Sequence, residues 1–479
     1  MMKIKKVIGL TIAAIMSLGI FASCNIATAP DTGNENGGIV LIPEEPETYD
    51  TTLTVAYQLA GYGEDWFIWL KNEFQKQNPG VRVLLTGADD MDTKMPTYLS
   101  GGGLIPDVMF LTSEDLWKTM GPAGKLRELS SLYEETVPGT NKSLYDLMLQ
   151  EGKDLVDYEY LPGDVKRYTI PWADGVEGII YNKTILDNYY GSTDWEFPDT
   201  WAEFTELCNG LKGRDIAPIT YPGKTAGYLS GMLVSSIAQY LGDELNDEFI
   251  DPDENTDYET LYNHAAIEKG FEKTQNLFSN GWIMSGSQSL SHIQAQQAFL
   301  RGEAAMILNG GWVENEMRAV LPKGFEMRMA PIPAQADGAI TQTAVAYGNV
   351  SFAAIPAEAA NAELAEKFML FSCTQEAVQA FYEIGGCWRP FDYELDLTKG
   401  TAFAQSCYNV WADENVYKTR KYSTSRFFQP IAGQLYSDLA TVNSNGTMKN
   451  SAAGLANKYS SNAISGFKKV LDVWNEAKS

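Results

Sequence analysis

Histidine is almost missing from this 479-residue chain. Only His264 and His292 occur, and neither stands at a zinc-type spacing from another His or from Cys, which excludes a His-rich metal centre. Positive charge is scarce too. Lys and Arg number 36 against 62 Asp and Glu, a formal charge of −26. Such an excess repels phosphate backbones and argues against nucleic-acid binding. No Gly-x-Ser-x-Gly elbow, His–Glu metal helix or phosphate-binding glycine loop is present, so those catalytic chemistries have no local signature. What remains is an ordinary globular composition, 44% hydrophobic and 20% charged. The length suits two large lobes or several smaller domains.

The N-terminus reads as an address. Lys3, Lys5 and Lys6 precede an uncharged apolar run of 16 residues, Val7 to Ala22, too short for a confident membrane span and laid out as a signal peptide over residues 1–23. The ending Ala22-Ser23-Cys24 resembles a bacterial lipobox, with Phe21 where that motif usually has Leu, and makes Cys24 the expected lipidation site. Residues 24–50 carry Pro, Gly, Asn and acids, with no base before Lys71. Such a composition cannot bury a core and predicts a flexible stalk, with a coil reach of roughly 30 Å. Four further cysteines, Cys208, Cys373, Cys387 and Cys407, either pair in an exported protein, in one of three ways, or stay as buried thiols.

Periodicity organises the body. Leu53, Val55 and Tyr57 alternate with smaller or polar residues and predict a strand at 51–58. Phe67, Leu70 and Phe74 recur at helical spacing over 64–77, and Asn78-Pro79-Gly80 ends that helix. Val81–Leu85 predicts the next strand, so the first unit is a parallel strand–helix–strand crossover. Further strands are expected at Asp107–Leu111, 176–181 and Ala304–Leu308. Helices are expected after the capping box Thr200-Trp201-Ala202-Glu203, over 292–302, and after Asn361 as cap. The sum is a mixed α/β architecture with helix-rich stretches at 356–390 and 401–479.

Five motifs in order then resemble the family 1 extracellular solute-binding proteins, the sugar-capturing, maltose-binding-protein-like components of ABC importers. They are Ser100–Val108 with its Gly-x-x-Pro-Asp-Val core; Tyr168–Trp172 followed by Tyr181-Asn182-Lys183; Pro198–Phe204; Phe299–Met306 with Gly310-Gly311-Trp312; and Asn361–Phe371. The resemblance spans about residues 51–395. It implies a two-lobed periplasmic-binding-protein-like fold with a hinge and an interlobe cleft. Lobe one would hold 51–172 plus 350–390, and lobe two 177–347 plus 391–479. Crossings would fall near Ala173–Val176, Tyr347–Asn349 and Pro390.

A neutral sugar offers apolar C–H faces to aromatic rings and hydroxyls to carboxylates, amides and Arg. The chain has 11 Trp and 25 Tyr, and most of these belong to the core, so position has to select among them. Trp312 follows two glycines that let backbone approach a ligand, where the family places a sugar-stacking aromatic. Trp172 and Asp174 lie at the first crossing, and Asp174 serves equally as a turn residue. The family often places an acidic ligand at the loop of Glu114; an acid also suits a first helical turn. Tyr62 and Glu64 sit after the first strand, where open α/β lobes gather ligands. Tyr347 and Asn349 lie at the second crossing as ligand or hinge residues. Trp388 and Arg389 precede the third, either clamping a ring or packing a turn.

The reading is a membrane-anchored extracytoplasmic lipoprotein that binds a neutral saccharide, favouring an oligosaccharide, and delivers it to the permease of an ABC importer. It implies a monomer held to the membrane through its N-terminal lipid alone, with no cofactor, metal, catalytic residue or nucleic-acid partner. A secreted carbohydrate-active hydrolase, which needs two carboxylates of opposed roles, and a binder of a non-sugar solute are the alternatives. The sugar, its linkage and the identity of the permease are not encoded in any motif.

Overall fold

The structure is a computed structural model that describes residues 48–478, apart from 113, 162, 349–350, 423–429 and 431–432. The signal peptide, Cys24 and the stalk up to residue 47 lie outside the described residues, as does Asn349.

The strands in chain order are β1 (Thr51–Gln58), β2 (Val81–Ala88), β3 (Val108–Leu111), β4 (Tyr158–Leu161), β5 (Asp164–Lys166), β6 (Ile170–Ala173), β7 (Glu177–Asn182), β8 (Ala217–Thr220), β9 (Ala304–Gly310), β10 (Met327–Ala330), β11 (Ala344–Tyr347), β12 (Ser351–Ala354) and β13 (Tyr417–Arg420). They form two main sheets, one per lobe. The first runs β2-β1-β3-β12-β6, and the second runs β13-β11-β7-β9-β8 with β10 paired to β7. β4 and β5 make a separate antiparallel pair.

β1 alternates at its start and is buried on both faces from Val55 onward, as befits a strand flanked in parallel by β2 and β3. The crossover helix Asp65–Gln77 buries Trp66, Phe67, Leu70 and Phe74. The helix Trp201–Lys212 opens with the expected capping box. A second box, Ser291 with Gln294, opens the helix His292–Leu300. The long closing helix, Ala452–Lys478, sits against the second lobe through Leu455, Tyr459, Phe467 and Trp474.

Asn361 occupies an N-cap position without capping. Its Nδ2 donates to the Thr52 carbonyl at 3.1 Å, and no side-chain cap bond forms. The reason is Asp107, 3% exposed. One of its oxygens accepts from the Thr54 N–H and hydroxyl at 2.8 Å, and the other accepts from the Asn361 N–H at 2.8 Å. The Pro-Asp-Val motif therefore ties β1, β3 and the helix Ala362–Ser372 together.

The chain passes between the sheets at residues 174–176, and it returns between β11, ending at Tyr347, and β12, starting at Ser351. The third passage falls later than Pro390. Phe391 belongs to the first lobe's core, Asp392 N–H donates to the Leu147 carbonyl at 2.8 Å, and the Tyr393 hydroxyl donates to the Cys373 carbonyl at 3.0 Å. Burying those rings holds the chain on the first lobe beyond residue 390. Cys208, Cys373, Cys387 and Cys407 are all free and buried, which selects the unpaired alternative.

Candidate functional site

The C-terminal ends of β1, β3 and β9 and the start of β7 converge on a cavity of about 440 Å³. Its first-lobe wall is Ala60, Gly61, Tyr62, Thr112 and Ser351. The second lobe supplies two groups of side chains, Trp312 with Tyr228 and Thr225, and the ionisable set Glu177, Lys421, His292 and Glu316. A second chamber of about 440 Å³ shares Ala60, Gly61, His292 and Glu316 and extends past Asp89 and Asn315. The cleft is thus elongated and walled by both lobes.

Trp312 is the aromatic floor. β9 ends at Gly310, and the indole folds back over that residue: a Cβ there would stand 2.1 Å from two ring carbons. Gly175, in the first crossing, faces the same ring, with a Cβ position 3.7 Å from it. Absent side chains at these two sites let the ring lie against backbone. The Tyr228 phenol stands beside this indole in the cavity lining. Burial is the main cause that pushes the Tyr228 phenol above its ordinary range, with Glu316 adding to it.

The ionisable side chains each have a close polar neighbour. Glu177, whose side chain is 8% exposed, lies 3.1 Å from Lys421 Nζ and accepts from the Ser230 hydroxyl. Glu316 accepts from Gln296 Nε2 at 2.6 Å and lies 3.7 Å from His292 Nε2. Burial pushes the Glu316 carboxyl up, while the Gln296 hydrogen bond and His292 oppose the shift. Carboxylate, ammonium and imidazole groups are all hydrogen-bonding groups, and pairing Glu177 with Lys421 limits the net field they leave in the cavity. That chemistry suits hydroxyl recognition and disfavours a strongly anionic ligand.

Of the residues singled out from the sequence, Trp312 and Tyr62 line this cavity. Tyr62 is 5% exposed and stands edge-on to Trp172, with ring centroids 5.2 Å apart. Trp172 itself is wholly buried, stacked on Trp66 at 5.9 Å, with its indole N–H on the Leu111 carbonyl at 3.0 Å. It supports the cavity from behind. Asp174 is 1% exposed, and its carboxylate accepts from the Gly175 N–H at 2.7 Å. That is the turn role, strengthened by the Asp174 N–H to Trp388 carbonyl bond of 3.0 Å.

Trp388 is packed against Tyr408 and Trp411 in the second lobe's core. Arg389 is an internal strut rather than a clamp. It is 2% exposed, and its guanidinium donates to the Ser372 and Pro171 carbonyls and stands 5.4 Å from the Trp66 ring centroid. Glu64 is an exposed residue at the N-cap of the helix Asp65–Gln77. Glu114 begins the helix Glu114–Met120. Tyr347 lines a different cavity, of about 710 Å³, together with Asp154, Asp247 and Arg420.

Sequence reasoning missed Glu177, Tyr228, His292, Glu316 and Lys421. Two of these were within reach: Glu177 follows Gly175-Val176 at the first crossing, and Glu316 lies four residues past Trp312. Tyr228 and Lys421 lie in segments without a motif.

Comparisons with known proteins agree with this architecture. The diacetylchitobiose-binding protein of Streptomyces coelicolor is 23% identical over 289 residues, 59% of this chain and 57% of the relative. The multiple sugar-binding protein of Streptococcus mutans is 23% identical over 387 residues, covering 80% of this chain and 82% of the relative. Both are named as binding proteins, not as enzymes. Among solved structures, the GacH receptor of Streptomyces glaucescens, described unliganded and with acarbose, superposes with a TM-score of 0.63 at 17% identity, over 88% of this chain and 98% of that one. The model of the bacterial extracellular solute-binding proteins matches residues 58–378, a span that runs from the end of β1 through Trp312 to the helix packed beneath Tyr62. With that span, the two sheets and the cleft between them, the chain belongs to the bacterial extracellular solute-binding protein family.

Proposed function

We propose that this chain is a receptor that binds a neutral oligosaccharide between its lobes and delivers it to the membrane permease of an ABC importer. The observation that carries the reading is the Trp312 indole, laid on glycine backbone beside Tyr228 and facing a cavity that both lobes line. An aromatic face takes the apolar side of a sugar ring, and the Glu177–Lys421 and Glu316–Gln296 groups take its hydroxyls. The two adjoining chambers favour a ligand of more than one sugar unit. The names of the relatives, which include binders of diacetylchitobiose and of multiple sugars, point to the same ligand class.

The protein acts as a reversible binder without turnover. It works as a monomer outside the cytoplasm, tethered through a lipid on Cys24. Among the described residues no helix is long and apolar enough to cross a membrane. Lobe one comprises about 51–173 and 351–396, and lobe two the segments between and after.

A thermal-shift panel of neutral mono- and oligosaccharides, followed by product analysis, tests this. An oligosaccharide at 100 times its Kd adds about 2.7 kcal/mol of stability and is recovered intact. Stabilisation by a non-sugar solute alone, or cleavage of the saccharide, would contradict the proposal.

A further inference from the structure

The segment immediately after Trp312 belongs to the second lobe. Val313 and Met317 are 1% and 3% exposed in its core, and Glu314 accepts from the Thr401 hydroxyl. Between these anchors two side chains leave the second lobe and reach the first. Asn315 Nδ2 donates to the Gly61 carbonyl at 3.1 Å. Arg318 donates to the Ile384 carbonyl and lies 3.6 Å from the Asp65 carboxylate. Ile384 is at the C-terminal end of the helix Gln375–Gly385, where a cation is favoured by the helix dipole. Asp65 opens the helix Asp65–Gln77.

The acceptor loop is shaped for this meeting. Gly61 and Gly63 both hold left-handed backbone, with φ of 92° and 71°, and the Gly63 N–H closes the turn on the Leu59 carbonyl at 3.0 Å. That turn presents the Gly61 carbonyl to Asn315 while Gly61 and Tyr62 face the cavity. Gly61 lines both chambers, and Asn315 lines the second. The Asn315–Gly61 bond therefore spans the cleft beside the cavity. The same short segment carries the Trp312 platform at its start, so closing the lobes and bringing the platform against the first-lobe wall are one movement.

We propose that Asn315 and Arg318 form an interlobe latch: they are positioning residues whose contacts with the first lobe hold the cleft closed over the ligand. The proposal rests on the saccharide-receptor reading for its ligand, while the contact itself is independent of it. A latch of this kind acts on the open–closed equilibrium. Its loss raises the open population and shortens the lifetime of the complex, because interface changes act mainly on dissociation.

The test uses the mature protein with Asn315→Asp, which keeps the size but replaces the donor with an acceptor, with Arg318→Ala, and with the pair. Arg318→Lys retains the charge. Stopped-flow release of a bound oligosaccharide should speed up about 5-fold for either single variant and about 20-fold for the pair, the loss expected of one modest hydrogen bond each. Arg318→Lys should recover part of that loss. Small-angle scattering of the ligand-free double variant should give a larger radius of gyration than the wild type. Unchanged release rates together with unchanged scattering would overturn the latch, whatever happens to the melting temperature. The scattering arm needs no ligand, so a failure of the saccharide reading leaves the latch tested on its own.

Discussion

Gly310→Ala isolates the role of the Trp312 platform without removing a polar group. Gly310 is a strand residue outside the left-handed region, so alanine is compatible with its backbone. The difficulty is the ring. The new methyl would stand 2.1 Å from two indole carbons and 2.6 Å from a third, where ordinary contact begins at 3.4 Å. The indole must therefore shift by more than an ångström from its place in the cavity lining. Overpacking of this size costs about 1–3 kcal/mol of stability. Loss of a well-placed aromatic anchor costs about 2 kcal/mol of binding, about 30-fold in Kd. Isothermal titration with the oligosaccharide found in the panel should show that loss. The sharper test is the double-mutant cycle with Trp312→Ala. Once the ring is gone, the methyl at 310 has nothing to displace and should cost no further affinity. Wild-type affinity in Gly310→Ala, or additive losses in the double variant, would refute the reasoning.

Three other outcomes follow from the same structure. Tyr228→Phe removes a hydroxyl from the cavity lining beside Trp312 and should weaken binding about 5-fold, about 1 kcal/mol, with a melting temperature close to wild type. Asp107→Asn should lower the melting temperature while leaving Kd unchanged, because Asp107 joins Thr54 to Asn361 far from the cleft lining. Lys273 is buried, bound to Gln239 and the Pro333 carbonyl, and burial pushes its ammonium down to about 7 from 10.5. The unfolded chain then holds this proton up to pH 10.5 while the folded one releases it near pH 7, so folding stability rises with pH across that window. Chemical denaturation of wild type against Lys273→Met should show that rise in the wild type alone, and parallel pH profiles would count against it.

The backbone plan was readable because it depends on local periodicity. The alternation of Leu53, Val55 and Tyr57, the helical spacing of Phe67, Leu70 and Phe74, and the Thr200–Glu203 cap each specify an element from neighbouring residues. Depth is a different quantity. Trp172 and Trp388 stand near crossings and Trp312 follows two glycines, yet the first two are core and the third lines the cavity. Nothing local separates them, since an indole packs against protein or ligand by the same chemistry. From the sequence, Arg389 could either clamp a ring or pack a turn. Its partners, Pro171 and Ser372, come from other elements. The Glu177–Lys421 pair closes over 244 positions of chain, a separation at which one sequence carries no pairing signal. Asn361 looked like a cap by residue type, and Asp107 from a distant strand decided otherwise.

The central claim is that a neutral saccharide sits between the lobes on Trp312. A crystal structure of the mature protein with the oligosaccharide selected by the stability panel addresses it most directly. The account predicts a sugar ring in van der Waals contact with the cavity-facing side of the Trp312 indole, hydroxyls on Glu177 or Glu316, and Tyr62 along the first-lobe wall. A saccharide bound elsewhere, such as in the acidic cavity beside Tyr347 and Asp247, with the Trp312 chamber holding only water, would contradict it.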